Sequence, residues 1–248
     1  MRHKSFAARL LLACFWCFAY VWSSHSSLAQ DTRNNAPTRP TKLIAADPEI
    51  RALLDNSTAT CDQASADERF GRLQTAVSLA DKRGLVGDRA LAEAFLASAQ
   101  IGRGDLDLGF TTARKALQDS IDAKNDVLEA DILLSLASDA QIKGRSLDAF
   151  DKVSQALKIA EKAGSLYEKA RALGELGKLQ LVQGKTSEAV KSIDEALNID
   201  RINGYQFEAI HLVYQGIYLG MTGKVDEALA SLSQARTKSS PDRETTRC

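Results

Sequence analysis

The chain has 248 residues, with 32 basic and 32 acidic side chains and no net formal charge. That balance argues against a nucleic-acid or anionic-membrane partner, which would need a basic stripe. By length alone the chain could form one or two ordinary domains.

Residues 1–29 read as a secretory signal peptide. Arg2, Lys4 and Arg9 give a basic start, Leu10 to Trp22 an apolar run, and Ser27-Leu28-Ala29 small residues at the −3 and −1 positions of a cleavage site after Ala29. The alternative is a membrane anchor, but 13 apolar residues span only about 20 Å as a helix, short of the ~30 Å hydrocarbon core. A lipoprotein site at Cys14 is disfavoured because the apolar run continues through Phe15 and Trp16. The protein is therefore expected to be exported, periplasmic or secreted, with no stable membrane insertion after cleavage. Removal of residues 1–29 leaves 29 basic against 32 acidic residues, a net of −3, and takes away both tryptophans, His3, His25, Cys14 and Cys17.

Residues 30–62 read as a flexible leader. Residues 30–42 hold Pro37, Pro40 and two Asn without apolar periodicity, and a short helix is expected after Asp47-Pro48, where Asp caps and Pro suits the first turn. From residue 64 onward the pattern is helical. No proline lies between Pro48 and Pro241, and Ala, Leu, Lys, Glu and Gln dominate.

The helical part repeats. Glycines at Gly104, Gly144, Gly184 and Gly223 are spaced 40, 40 and 39 residues apart, a period that signals stacked repeats. Five residues after each comes Gly109, Ala149, Ala189 or Ala228, and twelve after each comes Ala116, Ala156, Ala196 or Ala235. Between them runs an apolar column of Leu73, Ala113, Val153, Ile193 and Leu232. These positions share one helical face, where small residues let a neighbouring helix approach and the larger one fills the groove. Gly84, Lys124, Gly164 and Gly204 stand where each second helix should end. Four helix–turn–helix units follow, over about 85–124, 125–164, 165–204 and 205–239, within a repeat region of 63–239. One helix over 64–83 is left without a mate before them, and 240–248 reads as a disordered tail. In the column Val77, Leu117, Leu157, Leu197 the last member becomes Arg236, and Lys238 follows Ile159 and Ile199. The last helix is thus expected to be a polar cap.

The residues Leu176-Gly177, Gly184, Ala189, Ile193 and Ala196 resemble the tetratricopeptide repeat (TPR), in the longer variety of about 40 residues found in kinesin light chains and many bacterial proteins. The early aromatic of the first helix is absent, the tyrosine position holds Gln100, Ala140, Gln180 and Leu219, and the proline between units is missing. The fold expected is all-α, a right-handed α-solenoid of TPR-like hairpins forming one elongated domain.

The mature chain is nearly empty of convergent nucleophiles, bases and metal ligands. Its one histidine, His211, has no cysteine or second histidine nearby, so a packed histidine is expected rather than a metal site. No cofactor, metal or catalytic residue is assigned. Cys61 and Cys248 form a candidate disulfide in an oxidising compartment, against which stand an intermolecular bond or free thiols.

The resemblance implies that first helices line a concave groove. Its columns read Leu91, Asp131, Arg171, Ile210, then Ala94, Leu134, Gly174, Val213, then Ser98, Ser138, Lys178, Ile217. Two readings stay open there. In one, Arg171 and Lys178 grip a carboxylate of an extended peptide while Ile210, Val213 and Ile217 seat an apolar side chain, with Asp131 and Ser138 beside them. In the other, this is a solvated charged face. The expected role is a non-catalytic scaffold or adaptor of the cell envelope binding a protein or peptide. The alternative is a ligand- or peptide-sensing input module acting on a separate output protein.

Overall fold

A computed structural model describes residues 43–58 and 65–239. The signal segment, residues 30–42, the tail after 239, Cys61 and Cys248 lie outside the described residues. Among the described residues ten helices follow one another: α1 (Pro48–Thr58), α2 (Ala66–Lys82), α3 (Val86–Gly102), α4 (Leu106–Asp122), α5 (Asp126–Ile142), α6 (Ser146–Ala163), α7 (Leu166–Val182), α8 (Thr186–Asn203), α9 (Glu208–Met221) and α10 (Val225–Ser239). The fold is an all-α repeat solenoid. Each odd-numbered helix pairs with the even-numbered helix after it, and each hairpin packs on the next. The odd-numbered helices also touch one another, α1 on α3, α5 on α7 and α7 on α9, so they line one side of the stack.

The small-residue columns explain the close pairing. Ala116, Ala156, Ala196 and Ala235 are buried, as are Ala149, Ala189 and Ala228. A β-carbon on Gly109 would meet Ile101 Cγ1 at 2.6 Å, and one on Gly177 would meet Ile193 Cγ1 at 2.5 Å. The small residue therefore sets the helix separation and the larger one fills the space opposite.

The turns after the even-numbered helices are left-handed. Gly164 takes φ 67°, closing α6, and the equivalent residue after α4 is Lys124 at φ 53°. Lys124 is the one non-glycine residue with positive φ among those described. Glycine suits this conformation because it has no β-carbon to strike the following carbonyl.

The helix over 64–83, expected to stand without a mate, has one. α1 packs against α2, and polar contacts tie it down. Asp47 Oδ1 accepts from the Glu49 and Ile50 amides at 2.9 and 3.1 Å, capping the helix. Asp88 of α3 accepts from the Ala46 and Asp47 amides at 2.8 Å each, and Arg83 Nη1 donates to Asp47 Oδ2 at 2.7 Å. Ile50 and Leu54 join Leu73, Ala76 and Ala80 in one apolar cluster. The short helix foreseen inside a flexible leader is thus the first half of a fifth hairpin. Its brevity hid it, since 11 residues offer too few turns for a repeat column to be read.

Candidate functional site

The side of the stack lined by odd-numbered helices carries every residue expected in the groove. On α7, Arg171 faces back across one repeat. Its Nη1 bonds Asp131, the same repeat position on α5, and also Glu168 Oε2 at 3.0 Å, one turn earlier on its own helix. The guanidinium carbon lies 5.4 Å from the centroid of the Phe207 ring. Burial opposes its charge, yet the carboxylates of Asp131 and Glu168 outweigh that and push the Arg171 pKa upward. Glu168 is completely buried, so the arginine neutralises a carboxylate that water cannot reach.

Two turns on, Lys178 bonds Glu175 on the same helix and stands 6.0 Å from the Tyr214 ring centroid. The Tyr214 hydroxyl donates to Glu175 Oε1 at 3.3 Å. Burial, then the neighbouring Glu175, hold the Tyr214 hydroxyl well above its ordinary pKa. It stays a neutral donor at any physiological pH.

Neither Arg171 nor Lys178 is an open cation. Each cation already has a carboxylate of its own, and a ligand carboxylate would have to displace Asp131, Glu168 or Glu175. Both pairs were within reach of the sequence, since Glu168 and Glu175 each precede their cation by three residues. The sequence marks Asp131 as a groove residue, and the structure makes it the partner of Arg171. Ser138 is half-buried and its hydroxyl faces the Leu134 carbonyl of its own helix at 3.4 Å.

The three apolar residues of the far end share one helix. Ile210, Val213 and Ile217 lie at i, i+3 and i+7 on α9, half-buried against a cluster that includes Ile193, Leu197 and Leu212. Beside them the junction of α7 and α9 is aromatic. Tyr167 meets Tyr205 edge-on at 5.2 Å and Phe207 at 4.8 Å between centroids. This aromatic cluster escaped the sequence reading because Tyr205 and Phe207 sit in the turn before α9 and belong to no repeat column.

His211 is packed, 2% exposed, with Nδ1 2.6 Å from Asp200 Oδ2. Its ring lies against the backbone of Gly174, where a β-carbon would come within 2.0 Å of Nε2. Among the described residues no group of three or more His, Cys, Asp or Glu could hold a metal ion, and no helix is long and apolar enough to cross a membrane. A cleft of about 10 Å³ lies on the groove side between Ala94, Ser98, Asp131 and Ser135.

No family model matches the sequence, and no curated relative does either. Solved structures do match the fold. The nearly identical TPR-like repeats assigned to a kinesin light chain of Podosopora anserina align with a TM-score of 0.56 at 16% identity, covering 82% of this chain and 100% of that one. BtubC (BKLC) from P. vanneervenii aligns with a TM-score of 0.61 at 16% identity, over 78% and 85% of the two chains. The apo form of RapI gives 0.60 at 13% identity, over 80% of this chain and 56% of RapI. The fold is thus that of the TPR-like repeat solenoids, kinesin-light-chain-like repeats among them.

Proposed function

We propose that the protein is a non-catalytic scaffold or adaptor of the cell envelope that binds an extended segment of a partner protein along the odd-numbered helices. The observation that carries this is the half-buried strip of Ile210, Val213 and Ile217 beside cations that are already neutralised. Such a surface rewards apolar side chains and penalises a free carboxylate, whose desolvation no open cation would offset. The segment bound is therefore apolar rather than acidic at this end.

The test is site-specific photocrosslinking in cells. A benzophenone side chain at Ile217 is expected to trap a discrete protein adduct, whereas one at Leu147, 85% exposed on α6, is not. An adduct at Leu147 alone would move the interface away from this groove, and none at either position would remove the scaffold reading. Export rests on residues 1–29. Cleavage after Ala29 leaves no tryptophan, because Trp16 and Trp22 are the only two, so purified mature protein should show tyrosine emission only. Tryptophan emission from that material would contradict cleavage there.

A further inference from the structure

The last turn of α5 buries a carboxylate at a position where the other repeats hold none. Asp139 stands five residues before Gly144, and the residues five before Gly104, Gly184 and Gly223 are Ala99, Leu179 and Tyr218. The Asp139 side chain is 3% exposed. A carboxylate taken out of water needs a cation beside it, and this one has three. Arg114 Nη2 of α4 donates to Oδ2 at 3.1 Å, and Arg145 Nη2, from the turn before α6, donates to the same oxygen at 3.3 Å. Lys143 Nζ lies 2.8 Å from Oδ1. One cation would neutralise Asp139, so three leave two positive charges over.

That surplus faces water. The side chains of Arg114, Lys143 and Arg145 are between 40% and 51% exposed. Two other carboxylates lie near and offset it only in part. Asp107 is 98% exposed and 3.8 Å from Lys143, a contact that solvent screens. Asp148 is 3.2 Å from Arg145 Nη1 but 2.9 Å from Lys152, which brings a further positive charge. Arg114 Nη1 reaches a neutral group, the Thr111 hydroxyl, at 3.4 Å. α6 begins beside Arg145 with no side chain capping it, so the positive end of its dipole adds to the cations. The residues that match Arg114 on α2, α6 and α8 are Gln74, Ser154 and Asp194, so the surplus belongs to this one junction.

We propose that Arg114, Lys143 and Arg145 form a binding site for a phosphate group, on elements separate from the apolar strip of α9. Asp139 gathers the three cations around one point, which fixes their positions before any ligand arrives. A dianion matches the two surplus charges, and guanidinium forks bond phosphate oxygens in pairs. A single carboxylate would leave half of the surplus in place.

Isothermal titration of the purified chain with inorganic phosphate, in chloride buffer at fixed ionic strength, tests this. Saturable binding is expected, weakened about tenfold or more by Arg114→Gln and by Arg145→Gln. Lys185→Gln, which removes the cation matching Arg145 one repeat later, should leave it unchanged. All three sites are exposed, so circular dichroism of each variant should match the parent. Phenyl phosphate separates two sources of the same group: competition assigns the site to a phosphoryl group carried on a larger molecule, and its absence to the free ion. No saturable binding by the parent chain would overturn the proposal. So would equal weakening by all three variants, which would mean diffuse charge attraction, or full binding after both arginines are replaced.

Discussion

The ring of His211 occupies the space that a side chain at Gly174 would need: a β-carbon there would stand 2.0 Å from Nε2 and 2.3 Å from Cδ2. The pair joins α7 to α9, and behind it the imidazole meets Asp200 of α8. Gly174→Ala is expected to destabilise the fold by about 2–3 kcal/mol through overpacking and loss of the His211–Asp200 contact. Gly71→Ala on α2, where a β-carbon meets nothing within 4 Å, should instead stabilise by about 0.5–1 kcal/mol. Urea midpoints of the two variants should move in opposite directions. Equal and small shifts would mean that the His211 ring is free to move aside.

Lys124 holds the left-handed position that glycine holds after the other even-numbered helices of the repeats. An L-residue there costs about 1–2 kcal/mol, part of which glycine returns as chain entropy. Lys124→Gly is expected to raise stability by up to about 1 kcal/mol. A lower melting temperature in calorimetry would show that the lysine side chain contributes more than its backbone costs.

Arg171 holds together three elements of the groove side: α5 through Asp131, its own helix through Glu168, and the turn before α9 through the Phe207 ring. Arg171→Met keeps the apolar stem and removes the cation beside the buried Glu168, so a loss of about 3 kcal/mol is expected. Asp131→Ala should cost less, because Glu168 still partners the arginine. In a double-mutant cycle the two changes should be strongly non-additive. Simple additivity would mean that the two residues do not interact in solution.

Glu93 on α3 is 2% exposed, with Lys115 Nζ 2.5 Å from its Oε1. Burial raises its pKa above the ordinary 4.5, and the Lys115 bond only partly opposes that. Arg89 and Asp119 also act on it, with opposite signs. The folded state thus holds this proton more tightly than the unfolded chain, so acidification favours folding between the raised value and 4.5. In Glu93→Gln that contribution is gone. The stability difference, parent minus variant, should therefore grow as pH falls from neutrality towards that ordinary value and then level off. Urea unfolding across this range measures it, and a difference independent of pH would contradict the raised pKa.

The repeat is written plainly in the sequence because the forces that make it are local. Helix periodicity and glycine turns depend on residues a few positions apart, and the small columns recur wherever one helix must approach the next. Ala116, Ala156, Ala196 and Ala235 could be placed in the helix contacts from spacing alone, and they are buried there. So could the Asp47 cap and the αL turns at Gly84, Gly164 and Gly204.

What tertiary structure alone decided is which charges are spent inside the molecule and which faces remain open. Asp131 and Arg171 lie 40 residues apart and pair only because adjacent repeats bring matching positions side by side. That turned an expected carboxylate grip into an internal ion pair and left the apolar strip on α9 as the feature of the groove. α1 gained its place by packing on α2 and through the Ala46 and Asp47 amides just before it, which donate to Asp88 of α3, contacts that no periodic pattern encodes. Local spacing determines which face each helix buries; what lies against that face depends on the arrangement of whole helices, which is set by packing between residues far apart in the chain.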